Sequence, residues 1–231
     1  MGGCTCASKR RRDPSGPSPL KVSVSLKSNY LPRPMYLRYG KRVFDFTVAL
    51  LALPFLLLPG AILALAVWAG SGRPVFFRQE RVGRGGRLFR VAKFRTMVVR
   101  PAGDSTVTVA GDARMTPVGA FLRCWKLDEL PQLWNVLVGD MSLVGPRPDV
   151  PGYADRLQGE ARRVLELRPG LTGPATVAYR NEEEILAHQP DPVRYNDEVI
   201  WPDKVRLNLE YLNSASLGKD LGYLWRTAKG R

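Results

Sequence analysis

From Phe46 to Ala69 the chain runs for 24 residues without a charge, and Leu, Ala and Val dominate the stretch. As a helix rising about 1.5 Å per residue it would reach roughly 36 Å, enough to cross a bilayer core. Pro54 and the pair Pro59-Gly60 interrupt it, and each proline removes a backbone donor and favours a bend or break. Both flanks are basic: residues 1–42 carry ten Lys and Arg against Asp13, and residues 70–100 carry nine against Glu80. Basic flanks belong on the cytoplasmic side, so both ends ask for the same side. A single span is one reading. A helix that enters, breaks near Pro59 and returns meets both constraints, and the pattern favours it.

Beyond Gly70-Ser71-Gly72 the pattern changes to short alternating runs. Val75–Gln79 and Leu88–Phe94 read as strands joined through Gly83-Arg84-Gly85-Gly86, a cluster that suits a hairpin turn better than a phosphate cradle because no helix start follows it. On the second strand Phe89, Val91, Lys93 and Arg95 share a face, which makes Lys93 either a snorkelling stem or a site lysine. Thr116-Pro117 predicts a helix start, with a capping residue and then proline at the first helical position. That helix is expected to run to about Trp125. A second helix, ending at Gly139, is expected to hold Asp128 and Glu129 at its N-terminus, since Pro131 suits a first turn. Asn181 to Ala187 reads as an acidic, solvated helix. At the C-terminus Leu217, Leu221, Leu224 and Trp225 fall at helical spacing among Lys219, Arg226 and Lys229, as in a helix lying in a membrane interface or docked on the core.

Composition narrows the chemistry. With 231 residues and 45% hydrophobic content, the chain can bury a core and is not wholly disordered. A single histidine, His188, excludes multi-histidine metal sites, and three cysteines give no disulfide framework. Catalysis must rest on carboxylates and basic groups. The formal charge of +14 points to a polyanionic partner: nucleic acid, a nucleotide or an anionic membrane.

The Asp128-Glu129 pair has two readings. Asp128 could simply cap the second helix. Alternatively, two adjacent carboxylates beside free backbone N–H groups would keep one ionised and nucleophilic, while the other held Mg²⁺ with a diphosphate. Two stiff loops each bring an arginine, Arg147 in Gly145-Pro146-Arg147-Pro148 and Arg168 in Arg168-Pro169-Gly170, whose planar forks suit phosphate oxygens. Together with the acidic pair, they point to a phosphate-handling site.

The chain resembles the bacterial sugar transferases, the monotopic polyprenyl-phosphate phosphoglycosyl transferases. The resemblance rests on Lys41-Arg42-Val43-Phe44-Asp45-Phe46, Phe76-Phe77-Arg78-Gln79, Lys93-Phe94-Arg95-Thr96-Met97, Leu127-Asp128-Glu129-Leu130-Pro131-Gln132, Asn135-Val136-Leu137, Gly139 to Pro148, and Arg168-Pro169-Gly170-Leu171-Thr172-Gly173, in family order. It implies transfer of a sugar 1-phosphate from a UDP-sugar to polyprenyl phosphate, with release of UMP, as the initiating step of a surface glycan pathway. It also implies that Asp128 is the nucleophile of a covalent phosphoglycosyl-enzyme intermediate and that Glu129 is the Mg²⁺ ligand. The family's active-site lysine falls on Lys93, its phosphate-binding arginines on Arg123, Arg147 and Arg168, and its membrane-helix break on Pro59. After Thr172-Gly173 this chain departs from the family, so no sugar is carried over.

The expected architecture is α+β, mostly helical with a small β-hairpin. Residues 1–40 form a basic arm, 41–70 a re-entrant membrane helix, 71–215 the catalytic domain and 216–231 an amphipathic helix. The expected setting is the cytoplasmic face of a bacterial inner membrane. Expected partners are the UDP-sugar, polyprenyl phosphate, anionic lipid, downstream glycosyltransferases and a second copy in a homodimer, with no nucleic acid. The rival readings are a basic nucleic-acid-binding protein, which leaves the apolar run unexplained, and an inactive membrane scaffold on the same fold.

Overall fold

The computed structural model describes residues 34–98 and 115–230; most of the expected basic arm lies outside them. A π-helical turn, Tyr36–Gly40, runs directly into α1 (Lys41–Ser71). Pro54 and Pro59 lie within α1, yet it is one continuous helix rather than two, which corrects the expectation of a break near Pro59. A proline inside a helix can bend it without ending it, because it forfeits its own hydrogen bond while the flanking ladder persists. Lys41, Asp45 and Ala49 are buried at one end and Val67 at the other, with none buried between. The foot of α1 packs on the main core, whereas Leu63, Ala64 and Val67 meet Phe94 and Leu122 in a smaller one. The intervening Leu51, Phe55, Leu57, Leu58 and Ile62 are exposed. By length and hydropathy this helix could cross a membrane.

The alternating run forms the expected hairpin. Strands β1 (Phe76–Val82) and β2 (Leu88–Phe94) pair antiparallel, with Phe77 opposite Lys93, Gln79 opposite Val91 and Arg81 opposite Phe89. Residues directly opposite share a face, so Arg81 and Lys93 lie on the same side. Helix α2 (Pro117–Cys124) begins where Thr116 accepts a hydrogen bond from the Gly119 amide at 2.9 Å. Asp128 and Glu129 correct a second expectation. They occupy a separate 3₁₀ turn, Leu127–Glu129, and α3 (Gln132–Val138) starts only after Pro131. Gly139, at φ +96°, ends α3 in the left-handed region, as glycine does most readily.

A second sheet, which the pattern did not reveal, pairs β3 (Ser142–Val144) in parallel with β4 (Gly170–Thr172). The short helices α4 (Pro174–Ala178), α5 (Glu182–Ala187) and α6 (Pro192–Tyr195) follow. Helix α7 (Trp201–Ser214) buries Val205, Leu209 and Leu212 in the same core as Met141, Leu143, Val144 and Leu165. The last helix, α8 (Leu217–Lys229), docks Tyr223 and Leu224 on this core while leaving Leu217, Leu221 and Trp225 exposed. The result is a mostly helical α+β protein.

Candidate active site

Two elements converge on Glu129. From β2, Lys93 Nζ lies 2.9 Å from Glu129 Oε1; from the loop after β3, Arg147 donates to the same oxygen at 3.0 Å. Burial alone would raise the Glu129 pKa, but Arg147 and Lys93 outweigh it and hold the carboxyl below its ordinary range. Asp128, at 9% exposure, goes the other way. Burial raises its pKa, Glu129 adds to the rise, and Lys93 and Arg123 only partly offset it. Adjacent carboxyls with opposite shifts are a common preparation for different roles.

The scaffold beneath is pinned by polar bonds. Asn135 of α3 is 4% exposed; its amide donates to Arg90 O at 2.9 Å and its carbonyl accepts from Ala92 N at 3.3 Å. That pair of bonds fixes the strand carrying Lys93 relative to the turn carrying Glu129. On the far side, Val82 N donates to Asp149 O at 2.9 Å, Arg81 to Pro148 O at 3.2 Å, and Gly170 N to Pro146 O at 2.7 Å. These bonds set the Arg147 loop against β1 and β4.

Between these parts lies a small open cleft, with Arg81, Lys93, Glu129, Gln132 and Arg147 among its lining residues. Three cations thus surround a space with one carboxylate, in partly desolvated surroundings where charge is felt strongly. Arg81 was missed by sequence reasoning. Its partner Gln79 Oε1 accepts at 2.6 Å, and burial followed by the charge of Arg147 lowers its pKa. The period-2 alternation of β1, extended to Val82, was the signal that could have placed it beside Lys93. Asp149 was missed too; burial pushes its carboxyl up to about 7 against the pull of Lys204, Arg81 and Arg147.

Residues 36–230 match the family described as bacterial sugar transferase. The chain belongs to that family. It is 38% identical to the UDP-glucose:undecaprenyl-phosphate glucose-1-phosphate transferase of Caulobacter vibrioides over 93% of this chain and 72% of the relative. It is 34% identical to the UDP-galactose-lipid carrier transferase of Erwinia amylovora over 82% of this chain and 40% of the relative. To the UDP-N-acetylgalactosamine-undecaprenyl-phosphate N-acetylgalactosaminephosphotransferase of Aeromonas hydrophila it is 40% identical, over 86% of this chain and 45% of the relative. The chain therefore spans less than half the length of the last two.

In this bacterial sugar transferase, Lys93, Glu129 and Arg147 line the cleft. Asp128 adjoins Glu129 and is within the electrostatic reach of Arg123, whose Nε donates to Thr96 Oγ1 at 3.1 Å. Arg168 is placed differently from the other predicted residues. Its Nε donates to Gly139 O at 2.9 Å, at the end of α3, where Arg42 also donates to the Val136 and Leu137 carbonyls at 2.5 and 2.6 Å. The free carbonyls of a helix end attract cations, and that pull accounts for Arg168 lying outside the cleft lining. Pro59 sits in the exposed middle of α1.

The donor set suits a magnesium ion of the type held by one or two carboxylates and a substrate phosphate. Glu129 would be the carboxylate to hold it, beside Asp128, and no cluster of three or more acidic, histidine or cysteine ligands occurs among the described residues.

Proposed function

We propose that this protein transfers a sugar 1-phosphate from a UDP-sugar to a polyprenyl phosphate, releasing UMP, at the cytoplasmic face of a bacterial inner membrane. The observation that carries this reading is the convergence of Lys93 and Arg147 on Glu129 beside the buried Asp128. The names of relatives, which specify UDP-sugars and undecaprenyl phosphate, point the same way.

In the first half-reaction an Asp128 carboxylate oxygen forms a bond to the sugar-bearing phosphorus. The bond from that phosphorus to the bridging oxygen breaks, and UMP leaves with the bridging oxygen and its electron pair. A phosphate oxygen of the lipid acceptor then attacks the same phosphorus, and Asp128 departs as a carboxylate. A covalent intermediate lets a water-soluble donor and a lipid acceptor use one site in turn. Lys93, Arg81 and Arg147 screen the diphosphate, and Arg123 keeps positive charge near Asp128. Glu129 would hold Mg²⁺, which supplies further charge neutralisation on the phosphates when bound. Arg168 is left out of the phosphate-binding set because it serves the end of α3.

The reading extends to the membrane. Both ends of α1 pack on the catalytic body while its apolar middle is bare, which supports a helix that dips into one leaflet and returns, bending at Pro54 and Pro59. Exposed Phe121 and Trp125 beside α2, Trp134 of α3, and Leu217, Leu221 and Trp225 of α8 suit a body seated at the headgroup level. Arg38, Arg42 and Arg73 flank the apolar stretch, where anionic lipid would meet them. The lipid-linked product would feed glycosyltransferases that extend a surface glycan.

The test is UMP release by detergent-purified protein supplied with Mg²⁺, undecaprenyl phosphate and a panel of UDP-sugars. Sustained UMP release that needs the lipid and disappears in Asp128→Asn is expected, with a single equivalent of UMP and a trapped sugar-phosphate adduct on Asp128 when the lipid is withheld. Undiminished release by Asp128→Asn would overturn the assigned nucleophile, and failure to release UMP from any UDP-sugar would overturn the activity.

A further inference from the structure

The first residue of α3 is a glutamine with 2% exposure that lines the cleft together with Arg81, Lys93 and Arg147. Its Nε2 has no hydrogen-bond partner among the described residues. Four other buried side-chain atoms share that condition: Asp45 Oδ2, Arg95 Nε, Trp201 Nε1 and Asn208 Oδ1. None of their residues lines the cleft. A buried polar group without a partner costs stability and calls for a reason. Here the surroundings supply one. Of the side chains that share the cleft with Gln132, those of Arg81, Lys93 and Arg147 are cations and those of Val91, Pro148 and Leu171 are apolar, and none of these six can accept from an amide. The carboxylate oxygen that could accept, Glu129 Oε1, already takes Lys93 and Arg147. What is missing is an acceptor, and three cations around the same space select an anionic one.

We infer that Gln132 is a substrate-binding residue whose side-chain amide donates to a phosphate oxygen of a diphosphate held by Arg81, Lys93 and Arg147. The inference rests on the proposed donor being a nucleoside diphosphate sugar, and it adds a neutral member to the binding set. A neutral donor has a physical advantage at this position. The protonated form of Arg81 is already disfavoured by burial and by Arg147, so a fourth cation would raise that cost, whereas an amide adds a directed bond and no charge. Gln132 lies in the same acidic motif as Asp128 and Glu129, four and three positions on respectively. One short segment therefore brings both the attacking group and a donor for the group attacked.

Titration calorimetry of the full-length protein in detergent with Mg²⁺ tests this, using UDP, inorganic pyrophosphate and uridine as probes. Gln132→Met keeps the side chain's length and removes the donor; Gln132→Glu keeps the shape and reverses its hydrogen-bonding character. Both variants are expected to bind UDP and pyrophosphate about 10- to 100-fold more weakly, the worth of a hydrogen bond to a charged group, and uridine unchanged. The Tm of Gln132→Met is expected to hold or rise, because the amide it loses has no partner in the free protein. Unchanged UDP and pyrophosphate affinity in both variants would overturn the inference, as would a Tm of Gln132→Met that falls in step with its affinity. If wild-type protein binds pyrophosphate through Gln132 but releases no UMP from any UDP-sugar, the proposed reaction fails and the inference stands. If wild type binds neither UDP nor pyrophosphate, both fall.

Discussion

Lys41 Nζ lies 2.6 Å from Asp220 Oδ2, although 179 positions separate them, and both side chains are almost fully buried. The pair ties the foot of α1 to α8. Tyr36 also donates to the Asp220 carboxylate at 2.7 Å, and Tyr211 does so at 2.5 Å. A buried charge left without its partner is far more costly than the pair is beneficial. Asp220→Ala leaves Lys41 with only the longer contact to Asp45, at 3.5 Å, strands two tyrosine hydroxyls, and is expected to cost about 3 kcal/mol, read by urea unfolding in detergent. Lys41→Met leaves Asp220 with two donors and should cost less. Equal losses would show that the tyrosines contribute nothing.

The shift of Asp128 predicts an acid limb. Burial raises its pKa above the ordinary 3.8, and attack needs the ionised form. Activity should therefore fall as pH drops through a value higher than that of an exposed aspartate. Glu129 is held low by Arg147 and Lys93 and stays ionised across that range. In Arg147→Met one of those two cations is gone, so the Glu129 pKa rises and a second group joins the acid limb. The pH profile of kcat/KM should move upward and steepen; a profile that keeps its wild-type shape would refute the assignment.

Asp149 gives a stability prediction with the opposite sign from most carboxylates. Its folded pKa, about 7, lies above the ordinary 3.8 of an aspartate. The stability it contributes is full below the unfolded pKa and is lost as pH rises through 7. Asp149→Asn mimics the neutral form. Its Tm should match wild type near pH 4 and exceed it at pH 8. A wild-type advantage at pH 8 would mean that Lys204, Arg81 and Arg147 more than offset the burial.

Thr116 is a simpler case. Its side chain caps α2 through the Gly119 amide, and Thr116→Ala is expected to cost about 1 kcal/mol. Because α2 carries Arg123, whose charge acts on Asp128, UMP release should decline with the loss of helix stability. A variant with wild-type Tm would show that the cap is dispensable.

Strong local signals made part of this architecture legible in the sequence. The hairpin followed from alternation and a glycine turn, α2 from Thr116-Pro117, and the end of α3 from Gly139. Lys93, Glu129 and Arg147 were identified from motif and charge, and the structure brings them together. What escaped was non-local. Strands β3 and β4 have three residues each, too few to show a period, and their pairing crosses a long intervening segment. Arg168 shares the loop chemistry of Arg147, and only the packing distinguishes them: the carbonyls at the end of α3 lie within reach of one and not the other. Gln132 and Asp149 could not be ranked without burial, because their significance lies in what their side chains lack or face. The continuity of α1 through Pro59 was the less favoured of two readings because proline propensity weighs one residue and not the hydrogen-bonded turns on either side.

The loop that bears Arg147 and the segment that follows Arg168 leave no room for a side chain between them. A Cβ at Gly145 would stand 2.3 Å from Arg168 O, one at Gly170 2.2 Å from Gly145 N, and one at Gly173 2.0 Å from Gly145 O. The three glycines work as interlocking teeth. Neither segment can be lengthened, shortened or decorated without displacing the other, so variation among homologues at this junction must be concerted or absent. The constraint ends past Gly173, where α4 and the helices beyond are free of this interlock.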